Sequence, residues 1–173
     1  MALTSRVILV LSLHGNRAEF IRAAMNDKSD QIDLGKPSGF KALVGYRTPV
    51  WEEGHAVFEV EISERHTNSS GFLHGGVYMT ILDAAMGHAS TWCSIQGNVR
   101  RCVTLSLTSN FVAVARTPLV RAEAWVRGVE NGVATCRGEV RDANDVICVS
   151  GNGSYLYMRG SESIDGVPAI PQP

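Results

Sequence analysis

The chain alternates between two hydrophobic periods. Ala56-Val57-Phe58-Glu59-Val60-Glu61-Ile62 has period two, with Phe58, Val60 and Ile62 on one face and Glu59 and Glu61 on the other. Residues 40–47 read as a strand before it, joined through the hairpin-like Trp51-Glu52-Glu53-Gly54. A polar turn from Glu64 to Gly71 then leads into a long apolar run, about Gly75 to Trp92, whose period is helical. Beyond it the chain is strand after strand. Residues 102–114 alternate Val103, Leu105 and Leu107 against Thr104, Ser106 and Thr108, and further strands fall at 119–128, 133–141 and 146–157. Arg116-Thr117-Pro118, Glu130-Asn131-Gly132 and Asp142-Ala143-Asn144-Asp145 supply the turns. In the last strand Gly151 and Gly153 share a face with Val149 and Tyr155, and glycine within a strand marks a close approach by another element. Runs of strands with a single long helix predict an α+β fold, an antiparallel sheet covered by one helix.

The flanks read differently. Phe20, Ile21, Ala24 and Met25 predict a short amphipathic helix over 17–26, and Gly35-Lys36-Pro37-Ser38-Gly39 is a turn-rich linker. The organisation expected is an N-terminal extension over 1–37, one domain over 38–158 and a flexible tail over 159–173. Arg6 followed by Val7–Leu13 has the outline of a secretion signal, but seven residues is the short limit and no small-x-small cleavage site follows.

Composition adds exclusions. With 45% hydrophobic and 19% charged residues in 173, the chain can bury a real core. A net charge of −1 asks for neither nucleic acid nor an anionic membrane, and no run of about 18 apolar residues spans a bilayer. Cys93, Cys102, Cys136 and Cys148 form no metal-ligand spacing and read as reduced thiols of a cytoplasmic protein, so no metal or cofactor is expected.

One carboxylate, Asp83, sits inside the apolar helix, where a charge needs a partner or a task. Its helical neighbours Gly76, Thr80, Gly87 and Ser90 are small and leave a seam beside it. Gly75 and Gly76 open the helix, where unpaired N–H groups and partial positive charge could polarise a carbonyl. Asp83 lies eight residues beyond Gly75, about 12 Å along the axis, of which the backward lean of side chains recovers about 3 Å. Acid–base chemistry needs about 3 Å. Asp83 and the Gly75 it works with are therefore expected to belong to different copies of the chain, related by a two-fold axis.

Asn68, His74-Gly75-Gly76 and Asp83, in a polar loop feeding one helix ahead of four strands, resemble the hotdog-fold acyl-CoA thioesterases of the phenylacetate-degradation (PaaI-like) group. The resemblance covers residues 38–158 and implies a curved sheet wrapped around the helix, with sites at the interface of a homodimer or homotetramer. By position it implies that Asp83 activates water or attacks the thioester carbonyl and that the Gly75 N–H polarises that carbonyl. It gives Asn68 the role of holding nucleophile or thioester, His74 an orienting or structural role, and Thr104 the positioning of water. Gly76, Phe72 and Thr80 are the substrate-contact candidates beside them. Thioester hydrolysis needs a nucleophilic water and stabilisation of an oxyanion, and a carboxylate with an N–H can supply both. Two rivals stand: a hotdog acyl-thioester dehydratase or hydratase pairing Asp83 with His74, and a non-catalytic acyl-CoA-binding module. Arg100, Arg101 and Arg116 are candidates for the phosphates of coenzyme A.

Overall fold

The computed structural model describes residues 39–169. The extension and its expected short helix lie outside them. In chain order the elements are α1 (Gly39–Val44), β1 (Arg47–Glu52), β2 (His55–Glu61), a 3₁₀ turn (Glu64–His66), α2 (Gly75–Thr91), β3 (Asn98–Val99), β4 (Cys102–Phe111), β5 (Leu119–Glu130), β6 (Val133–Asp142), β7 (Ile147–Tyr157) and β8 (Val167–Pro168). Six strands form one antiparallel sheet in the order β1-β2-β5-β6-β7-β4, and β3 pairs with β8. Helix α2 touches every strand of the large sheet. A sheet that reaches one helix with all six strands must curve around it, which is the hotdog arrangement expected.

Burial follows the alternation. Phe58, Val60, Val120, Ala122, Ala124, Val140 and Val149 point at α2 and are essentially fully buried, as are Ile81, Leu82, Ala85 and Met86 on the helix itself. The opposite face of the sheet carries ion pairs. Glu59 is paired with Arg47 and Arg121, and Glu139 with Arg137 and Arg141. The Glu130-Asn131-Gly132 turn takes positive φ at Asn131 (51°) and Gly132 (76°), the geometry of a tight hairpin.

Three expectations are corrected. Residues 40–47 are not a strand. The segment 39–44 is helical, closed by Gly45 at φ 76° with its N–H on the Lys41 carbonyl. Six residues are too few for periodicity to separate helix from strand. The strict alternation along 102–114 also breaks. Thr104 pairs with Tyr155 and Ser106 with Ser154, so Leu105 is an extra residue in a β-bulge. The bulge reverses the phase of the strand. Cys102 and Thr104 face α2, while Val103 and Leu105 stand about half-exposed. Finally, the segment read as a flexible tail is held in place as far as it is described. Ser161 is buried and accepts the Arg101 N–H, and Arg100 donates to the carbonyls of Trp92 and Ser161 while lying 4.4 Å over the Tyr157 ring.

The glycines on the inner face set how closely helix and sheet meet. A Cβ on Gly138 would stand 2.7 Å from one Leu82 methyl, and one on Gly151 would stand 2.9 Å from the other and 2.7 Å from the Thr108 carbonyl. Gly151→Ala is therefore expected to cost about 1–3 kcal/mol by overpacking and to lower the melting temperature by about 3–10 °C. Gly128→Ala, where a Cβ meets only Thr135 Oγ1 at 3.8 Å, is its control. Equal calorimetric shifts for the two would contradict this account of the contact.

Candidate active site

The loop before α2 is built from its own side chains. His66 is buried, accepting the Ser63 N–H at Nδ1 (3.0 Å) and reaching the Val44 carbonyl with Nε2 (2.9 Å), which fixes the tautomer with hydrogen on Nε2. It ties the loop to the end of α1. Asn68 closes the next turn, its Oδ1 accepting the N–H groups of Ser70 (2.9 Å) and Phe72 (3.2 Å). The amide acceptor is thereby consumed, and Nδ2 is the group Asn68 has left for a substrate.

His74 is the N-cap of α2. Its N–H donates to the His66 carbonyl, and its Nδ1 accepts the Gly76 N–H at 2.9 Å. A Cβ at residue 76 would come within 3.0 Å of that same Nδ1, so Gly76 makes room for the cap. The Val77 N–H turns back to the His74 carbonyl. Among the described residues nothing accepts the Gly75 N–H, which is the free donor at the positive end of the helix. Thr80 is committed to the helix, its hydroxyl donating to the Gly76 carbonyl, and Phe72 stands about half-exposed beside the loop.

Two turns further on, Asp83 is half-buried. Its Oδ1 accepts two hydroxyls at 3.0 Å, from Thr104 on β4 and Tyr155 on β7. No salt bridge reaches it among the described residues. A groove of about 370 Å³ opens at this point, lined by Asp83, Gly87, His88, Arg101, Thr104 and Met158 among others. His88 closes one side of it, packed between the rings of Phe58 and Trp51. Burial holds its imidazole below the ordinary pKa, so it is neutral at neutral pH.

The candidates thus fall into two groups. Asp83 and Thr104 meet at the groove, and the bulge at Leu105 is what turns Thr104 inward. Asn68, Phe72, His74, Gly75 and Gly76 gather at the helix N-terminus, with Thr80 between the groups. The two groups rest on opposite ends of β4. Thr104 touches Asp83, whereas Phe111, seven residues on, is the residue a Cβ on Gly75 would meet, at 3.5 Å. The small-residue seam is shorter than expected. Ser90 is buried, its hydroxyl on the Gly87 carbonyl. Arg100 is occupied by backbone carbonyls, which leaves Arg101 as the arginine of the groove free of such ties. Tyr155 is the site residue that sequence reasoning missed. The signal available was its place on the inward face after Gly151 and Gly153, read only as a mark of close packing.

The sequence profile of the thioesterase superfamily matches residues 70–149, from the capping loop through α2 into β7. No curated protein matches the sequence. Among solved structures, a thioesterase of Haemophilus influenzae is similar over 75% of this chain and 87% of its own, at 17% identity and a TM-score of 0.64. The PaaI protein of the E. coli phenylacetic acid degradation operon is similar over 72% and 87%, at 20% identity and 0.63. The BH2602 protein of Bacillus halodurans, solved with CoA, is similar over 71% and 78%, at 21% identity and 0.60. At such identities the likeness is one of fold, and it agrees with the hotdog arrangement described above.

The cap can be tested apart from chemistry. His74→Ala is expected to lose about 1 kcal/mol and His74→Asn, which can accept the same N–H, to keep most of it. Thermal melts showing the two variants equally weakened would argue against capping by Nδ1.

Proposed function

We propose that the protein hydrolyses acyl-CoA thioesters, in the manner of the phenylacetate-degradation group, at sites each completed by two copies of the chain. The observation that carries this reading is Asp83, a carboxylate in an open groove with no cationic partner among the described residues, held through one oxygen by two hydroxyls. A free carboxylate oxygen facing a groove suits a base or a nucleophile.

The oxyanion donor must come from elsewhere. The Gly75 N–H of the same chain is at the far end of the segment, too distant for a shared carbonyl. The long β4 edge offers the route for a second copy. Among the described residues it pairs only with β7, and it carries half-exposed Val103, Leu105 and Phe111, with Val112 just beyond. Two copies meeting along β4 would bring each Asp83 toward the other chain's helix N-terminus. The thioester carbonyl then lies on the partner copy's helix N-terminus. Asp83 takes a proton from water as the water oxygen attacks the carbonyl carbon, or attacks that carbon itself to give an acyl-aspartyl anhydride that water then cleaves to the free acid, restoring the carboxylate. The C–S bond breaks, and the coenzyme A thiolate leaves and is protonated. The base contributes about 10²–10⁴-fold and one oxyanion donor about 3–4 kcal/mol. Arg101 at the groove fits the phosphates of the coenzyme.

The dehydratase reading needs an imidazole beside the carboxylate. Within one chain His74 Nδ1 is engaged by Gly76 and lies with the other half-site, so that reading has no pair to act with unless the partner supplies it.

Thiol release should be measured over a panel of aromatic, medium-chain and long-chain acyl-CoA esters. Asp83→Ala is expected to lose at least about 10²-fold in kcat. Gly75→Pro removes only the free N–H, because proline suits the first helical position and His74 already has the extended φ −66°, ψ 136° that a following proline requires. It should lose about 10²–10³-fold. Co-expressing the two inactive chains should restore about one quarter of wild-type activity, since half of the randomly paired dimers hold one intact site. Absence of recovery in demonstrably mixed dimers would remove the shared site. Change in unsaturation without thiol release would favour the dehydratase, and tight binding without turnover the non-catalytic module.

A further inference from the structure

Asp83 is oriented by more than the motif residues. Thr104 and Tyr155 are directly opposite one another across β4 and β7, and both hydroxyls end on the same oxygen, Oδ1, at 3.0 Å. No described residue donates to Oδ2. Two donors on one oxygen fix the plane of the carboxylate and leave the other oxygen bare toward the groove.

Tyr155 reaches that oxygen through a slot that only glycine leaves open. A Cβ on Gly153, two residues earlier on the same strand, would lie 2.8–2.9 Å from the Tyr155 ring and hydroxyl. On the helix side, one turn past Asp83, a Cβ on Gly87 would touch the ring at 3.6 Å. The ring therefore lies between two residues without side chains, fully buried, with its hydroxyl also 3.4 Å from the Asp83 carbonyl. Burial, and then the neighbouring Asp83 charge, push the phenol far above its ordinary pKa. It stays a donor at every working pH and cannot itself serve as the base.

We propose that Tyr155 is a positioning residue, which holds the Asp83 carboxylate in register through Oδ1 so that Oδ2 alone meets the substrate or the attacking water. This rests on the reading of Asp83 given above. Other titratable groups face the same region. Cys102 from β4, Cys136 from β6 and Tyr46 ahead of β1 are all raised by burial and stay protonated. Tyr157 from β7 is raised likewise. Arg100 and Arg101 line the groove, and His88 on α2 is held neutral by burial. The helix-facing residues of β2 and β5 are apolar. Among the described residues only Tyr155 and Thr104 hydrogen-bond the Asp83 carboxylate.

The test is Tyr155→Phe, which keeps the ring and its packing and removes one hydroxyl. With the acyl-CoA ester cleaved fastest by the wild type, kcat is expected to fall about ten- to a hundredfold with KM changed less than about twofold. Incorporating 3-fluorotyrosine at 155, a stronger donor of nearly the same shape, should change kcat by at least about twofold with KM unchanged, and it serves as the readout if the phenylalanine variant melts too low to assay. Asp83→Asn runs alongside. If it keeps the wild-type rate, the reading of Asp83 fails and the role of Tyr155 with it. If it is inactive while both Tyr155 variants give wild-type kcat and KM, the positioning role alone is overturned.

Discussion

Everything at the site depends on how closely α2 lies against the sheet. Leu82 fixes that distance. Its two methyls rest where side chains on Gly138 and Gly151 would be, so the helix sits a side chain's depth nearer to β6 and β7 than ordinary packing allows. Asp83 is the next residue, a third of a turn around the helix. Because the helix is that near, hydroxyls projecting from β4 and β7 can reach its carboxylate, and a helix lifted outward to clear larger residues would stand beyond them. The apolar contact and the polar constellation are thus one arrangement seen on two adjacent residues.

Much of this could be read in the chain itself. The period change at Gly75, the alternation of Phe58, Val60 and Ile62, and the turn at Asn131-Gly132 each have a local cause, and each element is where its residues call for it. Asp83 was legible because a carboxylate in an apolar helix is expensive, and the separation from Gly75 followed from helical rise alone. What escaped depends on pairing. The bulge at Leu105 exists only relative to Tyr155 and Ser154 on another strand, so the alternation of Val103, Leu105 and Leu107 pointed to the wrong face below residue 106. Tyr155 escaped for the same reason, since its partner lies 72 positions away. Helix α1 was missed because six residues carry no usable period. The order of residues 159–169 rests on Arg100 and the carbonyls it gathers, which composition does not announce.

The two ends of α2 divide the work. The N-terminal end is polar, fixed by hydrogen bonds within the loop, and leaves a single N–H free. The middle is apolar and leaves a single carboxylate oxygen bare. Neither end is open to rearrangement on its own, because His74 and His66 pin one and the inner face of the sheet pins the other. The shared site proposed above then turns on how a second copy would meet these two ends.

The bulge at Leu105 also bears on how the chain tolerates change. The side chain there is exposed, so exchange for another residue of similar strand preference touches little. The residue's presence is another matter. Absorbed in the bulge, it leaves Thr104 opposite Tyr155; threaded into regular alternation instead, it would turn the strand below over by half a pleat, presenting Val103 to Asp83 and sending Thr104 outward. What that position carries is a phase rather than an identity: it is an extra residue that the pairing sets aside, invisible to any comparison that scores only which amino acid stands where.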